Sequence, residues 1–248
     1  MEQIYTIPVH EAFEFCRGRT DAGCPVCALY NKLEDNELEL ILGASMMEPD
    51  IRIMTNKEGF CRPHYDMMLV RKNRLGMALT LESHLSELAG EIRNKKLFAK
   101  PGEPAARRIA ELENSCYVCR RIEFHFEHMM ETIVLLWESE PEFREKFAEQ
   151  PYFCLPHYRR LLLTAEKRLS KKQYPEFAKA AAKVVEDYLS TLSEDVSWFC
   201  KKFDYRYADE PWNNSKDSVE RSIRFLRSDL HNPATPFLNQ KQGRKQND

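Results

Sequence analysis

The chain has 248 residues, of which 43% are hydrophobic and 31% charged, with a net charge of −2. That balance suits a globular protein with a sizeable core, in one large domain or two small ones, and argues against wholesale disorder. It supplies no bulk electrostatic pull toward nucleic acid or an anionic membrane. Met1–Pro8 lacks the basic n-region and long apolar run of a signal peptide, and no uninterrupted apolar stretch approaches the roughly 20 residues of a spanning helix. A cytoplasmic location with no membrane contact is the expectation.

Taken in order, residues 1–23 read as an N-terminal segment, helical around Val9 to Arg17 and ending at the Asp21-Ala22-Gly23 turn. From Cys24, the residues Leu29, Leu33, Leu38, Ile41 and Leu42 keep helical spacing until Pro49. A turn at Lys57-Glu58-Gly59 leads into Phe60-Cys61-Arg62-Pro63-His64-Tyr65. One long helix is expected after it, with Tyr65, Met68 and Leu69 in line with a stripe of Leu81, Leu85, Leu88 and Ile92. Residues 96–110 read as a connector, because Pro101, Gly102 and Pro104 interrupt a helix.

Beyond Cys116 the stripe Ile122, Phe126, Met129, Met130, Ile133 and Trp137 predicts the strongest amphipathic helix, ended by Pro141. Phe153-Cys154-Leu155-Pro156-His157-Tyr158 follows, then helix through Leu169, then a further helix on Phe177, Ala181, Val184, Tyr188, Leu192, Phe199 and Phe203. Residues 206–214 read as a loop, Asp217-Ser218-Val219-Glu220 as a capping box on a last short helix, and the tail from His231 as disordered. No alternating strand pattern or Asn-Gly hairpin is present, so the expected fold is all-α. The expected organisation is a first helical repeat over 24–95 and a second over 111–205.

That duplication rests on chemistry. Cys24 and Cys27 lie 92 residues before Cys116 and Cys119, and Cys61 and His64 lie 93 before Cys154 and His157. Three thiols and an imidazole recur in one order, the donor set of a Cys3His zinc site. The expectation is two zinc ions per chain, one held by Cys24, Cys27, Cys61 and His64, the other by Cys116, Cys119, Cys154 and His157. In Cys-x-Pro-His the proline suits the first turn of a helix, where its missing donor goes unused. This puts Cys61 and Cys154 at helix mouths, whose positive ends favour thiolate. Four protein donors leave no place for a catalytic water, which favours structural over catalytic metal. Disulfide pairing, or cycling between dithiol and disulfide, is the competing reading of the same cysteines.

Of the eight cysteines, Cys16 and Cys200 fall outside the pattern and read as small core residues. His125 and His128 have a spacing that could hold a metal but read as an ordinary helix face. Basic stretches at Arg71, Lys72 and Arg74, and at Arg159, Arg160, Lys167, Arg168, Lys171 and Lys172, could touch phosphates; a wet helix face explains them as well. No phosphate loop, nucleophile elbow or carboxylate pair is present.

Cys24-Pro25-Val26-Cys27 with Gly59-Phe60-Cys61-Arg62-Pro63-His64, and the second set across 116–157, resembles a family of uncharacterised bacterial proteins over most of residues 20–205. The resemblance implies a bacterial cytoplasmic origin and no particular activity. Tyr117 departs from it, standing where the first pair has Pro25. Three functions fit the residues: a non-enzymatic zinc-stabilised scaffold that binds a protein partner, a thiol redox sensor that loses zinc on oxidation, and a nucleic-acid-binding regulator. An enzyme site that no motif reveals is the remaining option.

Overall fold

A computed structural model describes residues 3–93, 99–232 and 237–238. Among these, eleven α-helices and no strands are found. They are α1 (Gln3–Cys16), α2 (Pro25–Leu42), α3 (Pro49–Glu58), α4 (Arg62–Val70), α5 (Arg74–Arg93) and α6 (Glu103–Glu113), followed by α7 (Tyr117–Ser139), α8 (Pro141–Ala148), α9 (Leu155–Arg168), α10 (Gln173–Lys201) and α11 (Ser218–Arg227). None of them is long and apolar enough to cross a membrane.

The chain divides into two compact units, Met1–Lys32 with Phe126–Asp248, and Leu33–His125. Both divisions fall inside helices, α2 and α7, and neither matches the halves 24–95 and 111–205 suggested by the motif spacing. The first unit is closed by the N-terminal helix. Gly18 N–H donates to the Glu149 carbonyl (3.0 Å), and the Gln150 side chain donates to the Phe13 carbonyl (2.8 Å). Phe13 then enters an aromatic core with Phe143, Phe147 and Phe153, at ring separations of 4.9 to 6.2 Å.

Helix α7 shows how the local sequence acts. Its predicted stripe, Ile122 through Trp137, is buried throughout. It stops where Pro141 begins α8, and Arg144 caps it by donating to the carbonyls of Trp137 (2.6 Å) and Glu138 (2.7 Å). Helix α10 likewise buries Phe177, Ala181, Val184, Tyr188 and Leu192, but Phe203 beyond its end is 75% exposed. There the Lys202 ammonium turns inward and donates to the carbonyls of Tyr207 (2.7 Å) and Ala208 (2.8 Å), which orders the following loop.

Several expectations fail for identifiable reasons. The long helix after His64 is two helices. Asn73 breaks it by accepting from Gly76 N–H (2.8 Å), the side-chain bond that starts a new helix. A Cβ on Gly76 would stand 2.8 Å from the Leu42 carbonyl oxygen, so that close approach excludes a larger residue. This contact selects which face of α5 is inside: Gly76, Met77, Thr80 and His84 are buried, whereas Leu85 of the predicted stripe is 60% exposed. The connector holds α6, because Gly102 in the left-handed region (φ 83°) and Pro104 in the first turn start a helix there. The capping box at Asp217 does not form; its carboxylate instead accepts from Arg221 (2.9 Å). Of the expected disordered tail, 233–236 and 239–248 lie outside the described residues, while Phe237 stands against Phe15 at 5.4 Å. Cys16 is buried in the cluster with Phe15, but Cys200 is exposed and is not a core residue.

Candidate metal centres

The eight predicted residues gather into two tetrads, with partners other than those expected. Cys24 and Cys27 meet Cys154 and His157, while Cys61 and His64 meet Cys116 and Cys119; in each group the donor atoms all lie within 4.8 Å of one another. The pairing of Cys24 and Cys27 with Cys61 and His64, and of Cys116 and Cys119 with Cys154 and His157, is therefore corrected. Each tetrad lies wholly within one compact unit. The spacing singled out the eight residues that gather, but the pairing read from it was the wrong one of the two.

Backbone contacts explain the exchange. Gly59, in the left-handed region at φ 61°, offers its carbonyl to Tyr117 N–H (3.0 Å), and Ser115 Oγ donates to the Glu58 carbonyl (2.7 Å). These bonds hold Cys116 beside Cys61. The Arg120 guanidinium reinforces the junction against the Glu58 carboxylate (2.8 Å). In the other unit, the contacts from Phe13 and Gly18 to residues 149–150 carry Cys24 and Cys27 to Cys154.

Both tetrads sit where two helices begin. Cys61 precedes α4 and Cys154 precedes α9, each in extended conformation (φ −71°, ψ 162° and φ −63°, ψ 151°) with proline in the first helical turn. Cys24 and Cys116 stand just before α2 and α7, their carbonyls accepting the first helical bonds from Ala28 and Arg120 at 3.1 Å each. Two positive helix ends thus face each group of sulfurs, an arrangement that stabilises negative charge. Backbone N–H groups reach the sulfurs directly: Cys119 N–H lies 3.5 Å from Cys116 Sγ and Asp229 N–H 3.4 Å from Cys27 Sγ.

The distances fit one ion per group. A tetrahedral ion bound at about 2.3 Å by sulfur and about 2.0 Å by nitrogen would set its sulfurs about 3.8 Å apart and sulfur from nitrogen about 3.5 Å. Cys27 and Cys154 are 3.7 Å apart, and Cys61 and Cys119 are 3.8 Å apart. His157 Nδ1 lies 3.9, 3.4 and 3.2 Å from Cys24, Cys27 and Cys154. His64 Nδ1 lies 3.1, 3.2 and 3.5 Å from Cys61, Cys116 and Cys119. Both groups are able to hold a metal ion.

Titration of the donors shows what a cation would change. The hydrogen bond from Cys119, aided by His64 against the cost of burial, draws Cys116 down to about 3. Cys119 is pushed up in turn, first by that hydrogen bond and then by burial and the Cys116 charge. Burial opposes a charge on His64, yet Cys116 and Glu34 outweigh it and carry the imidazole up to about 10. In the other group, burial opposes ionisation of Cys24, but hydrogen bonds from Cys154 and Cys27 and the neighbouring His157 bring it down. Burial raises Cys27, and the hydrogen bond to Cys24 is the main cause raising Cys154. A divalent ion would offset the neighbouring thiolate charge that helps to raise Cys119, Cys27 and Cys154.

Sequence reasoning missed Glu34. Its carboxylate is 1% exposed and accepts from His64 Nε2 at 3.0 Å, which leaves Nδ1 to face the sulfurs. No local signal distinguishes it, since Glu34 stands among other charged residues of α2. His157 instead has the Phe126 ring beside it at 5.5 Å. The other predicted features serve elsewhere: His125 lies 3.8 Å from the Glu37 carboxylate and His128 stacks on Tyr5. Arg159, Arg160, Lys167 and Arg168 line a cleft of about 390 Å3, but Glu127 and Glu131 line it too. Arg168 pairs with Glu131, and Arg160 lies over the Phe126 ring. Arg71 pairs with Asp35 (2.7 Å).

Fold and donors together define an all-α protein with two Cys3His groups able to hold metal. The chain belongs to the Family of unknown function (DUF6062), whose model matches residues 1–233. No curated protein and no solved structure matches it.

Proposed function

We propose that the protein is a non-enzymatic helical scaffold, held by one zinc ion in each tetrad, that binds a protein partner. The observation that carries this reading is donor saturation. Each group supplies three thiolates and one imidazole at tetrahedral separations, so zinc would have no open position for a catalytic water. Soft thiolate donors suit zinc and disfavour the hard cations magnesium and calcium. When bound, the ion supplies cross-linking: it ties the start of α2 to that of α9, and the start of α4 to that of α7. Glu34 would fix the tautomer of His64, while the helix ends hold the thiolates.

Partner binding is supported by α5. Leu85 and Ile92 lie 60% and 44% exposed, and Leu81 and Leu88 in the same row are half-buried, so an apolar row at helical spacing faces outward. Elemental analysis of protein purified without added metal tests the core of the reading. Two zinc ions per chain are expected; a chain with intact helices and no bound metal overturns it.

A further inference from the structure

We infer that the tetrad of Cys61, His64, Cys116 and Cys119 is an oxidisable zinc site, in which Cys119 is the thiolate that attacks peroxide and Cys61 the one that resolves the product. This rests on the reading that both tetrads hold zinc. The two groups have the same donors and similar separations, so donor chemistry does not tell them apart; access does.

In the first unit Cys24, Cys27, Cys154 and His157 are all buried, with no more than 3% exposure. The segment after α11 contributes to that cover: Asp229 N–H donates to Cys27 Sγ, and the Asp229 carbonyl accepts from the Asn31 side chain (2.8 Å). An oxidant must first loosen this packing. In the second unit Cys119 is exposed and Cys61 half-buried, whereas His64 and Cys116 are buried. The two sulfurs nearest solvent are also 3.8 Å apart, so a modest movement joins them.

The chemistry balances with hydrogen peroxide as the oxidant. Cys119 thiolate attacks one peroxide oxygen and the O–O bond breaks, giving Cys119 sulfenic acid and hydroxide. Cys61 thiolate then attacks the sulfenic sulfur, forming the Cys61–Cys119 disulfide and releasing a second hydroxide. Two thiolates lose two electrons and peroxide gains them. Zinc, left with Cys116 and His64 alone, departs as Zn2+. A dithiol reductant reverses the disulfide and reopens the site to metal.

The test uses the full chain carrying Cys200→Ser, which removes an exposed cysteine outside both tetrads. Zinc is counted first, then hydrogen peroxide is added with a chromogenic zinc chelator, and disulfides are mapped by mass spectrometry. Two ions before oxidant, release of one, a Cys61–Cys119 disulfide and reversal by dithiothreitol are expected. A second variant, Cys119→His, keeps a zinc donor without an oxidisable sulfur; its peroxide-driven release is expected to be at least about tenfold slower. Release of both ions together, release of neither, or oxidation confined to Cys24, Cys27 and Cys154 overturns the inference. Fewer than two ions before oxidant instead overturns the reading beneath it.

Discussion

The tetrad beside Phe126 and the tetrad beside Glu34 have identical donors and matching helix ends, yet they stand in different surroundings. Around the first, aromatic rings do most of the packing: Phe147 lies 4.7 Å from Phe153 and 5.3 Å from Phe177, and Tyr152 stacks on Tyr188 at 4.3 Å. The second belongs to a unit whose buried residues include Glu34, Glu37, Thr55, Asn56, Thr80 and His84. There, hydrogen bonds hold what rings hold in the other unit: Asn56 donates to Glu87 (2.9 Å) and its carbonyl meets His84 Nδ1 (2.8 Å). A shared Cys3His set thus gives both groups the same capacity to hold a metal ion, whereas the packing around each sets how far its donors are shielded.

Metal loss should separate the two most strongly. With each ion worth on the order of 10 kcal/mol, Cys154→Ser is expected to unfold chiefly the aromatic unit and Cys61→Ser chiefly Leu33–His125. Thermal melts followed by circular dichroism, with zinc counts, check this. The exchange of partners adds a sharper test. Cys61→Ser with Cys116→Ser should lose one ion, as either variant does alone, whereas Cys61→Ser with Cys24→Ser should lose both. The opposite pattern would restore the pairing expected from the sequence.

Next in size is the aromatic core. Phe147→Ala should cost about 3–5 kcal/mol, visible in denaturant melts as a change confined to the unit holding Cys154. Glu34→Gln should weaken metal at the His64 tetrad roughly 10- to 100-fold and leave the other unchanged; chelator competition at each site reads the difference. Equal weakening at both would remove Glu34 from its positioning role. The smallest effect belongs to Leu85→Ala, within about 0.5 kcal/mol in the isolated protein because its side chain faces outward. A core-sized loss in urea melts would put the predicted stripe back inside.

Where sequence reading succeeded, local physics sufficed. The α7 stripe could be read because one helix face is apolar over most of its length, and Cys-x-Pro-His because proline and a following histidine restrict one helical turn. It failed where a partner decided. Leu81, Leu85, Leu88 and Ile92 make a better stripe than Gly76, Met77, Thr80 and His84, yet Gly76 permits the close approach to Leu42 and so chooses the inner face. Glu34 gained its role from His64, thirty positions away.

The helical class and the two helix starts at Cys61 and Cys154 were written into the chain itself, since each depends on residues within a turn or two. Which pair of thiols meets which histidine was settled only by tertiary contacts, through Gly59 to Tyr117 and Phe13 to Gln150. The reason is that tetrahedral ligation is indifferent to the order of its donors along the chain. Both pairings satisfy it, and only packing and backbone hydrogen bonds distinguish them.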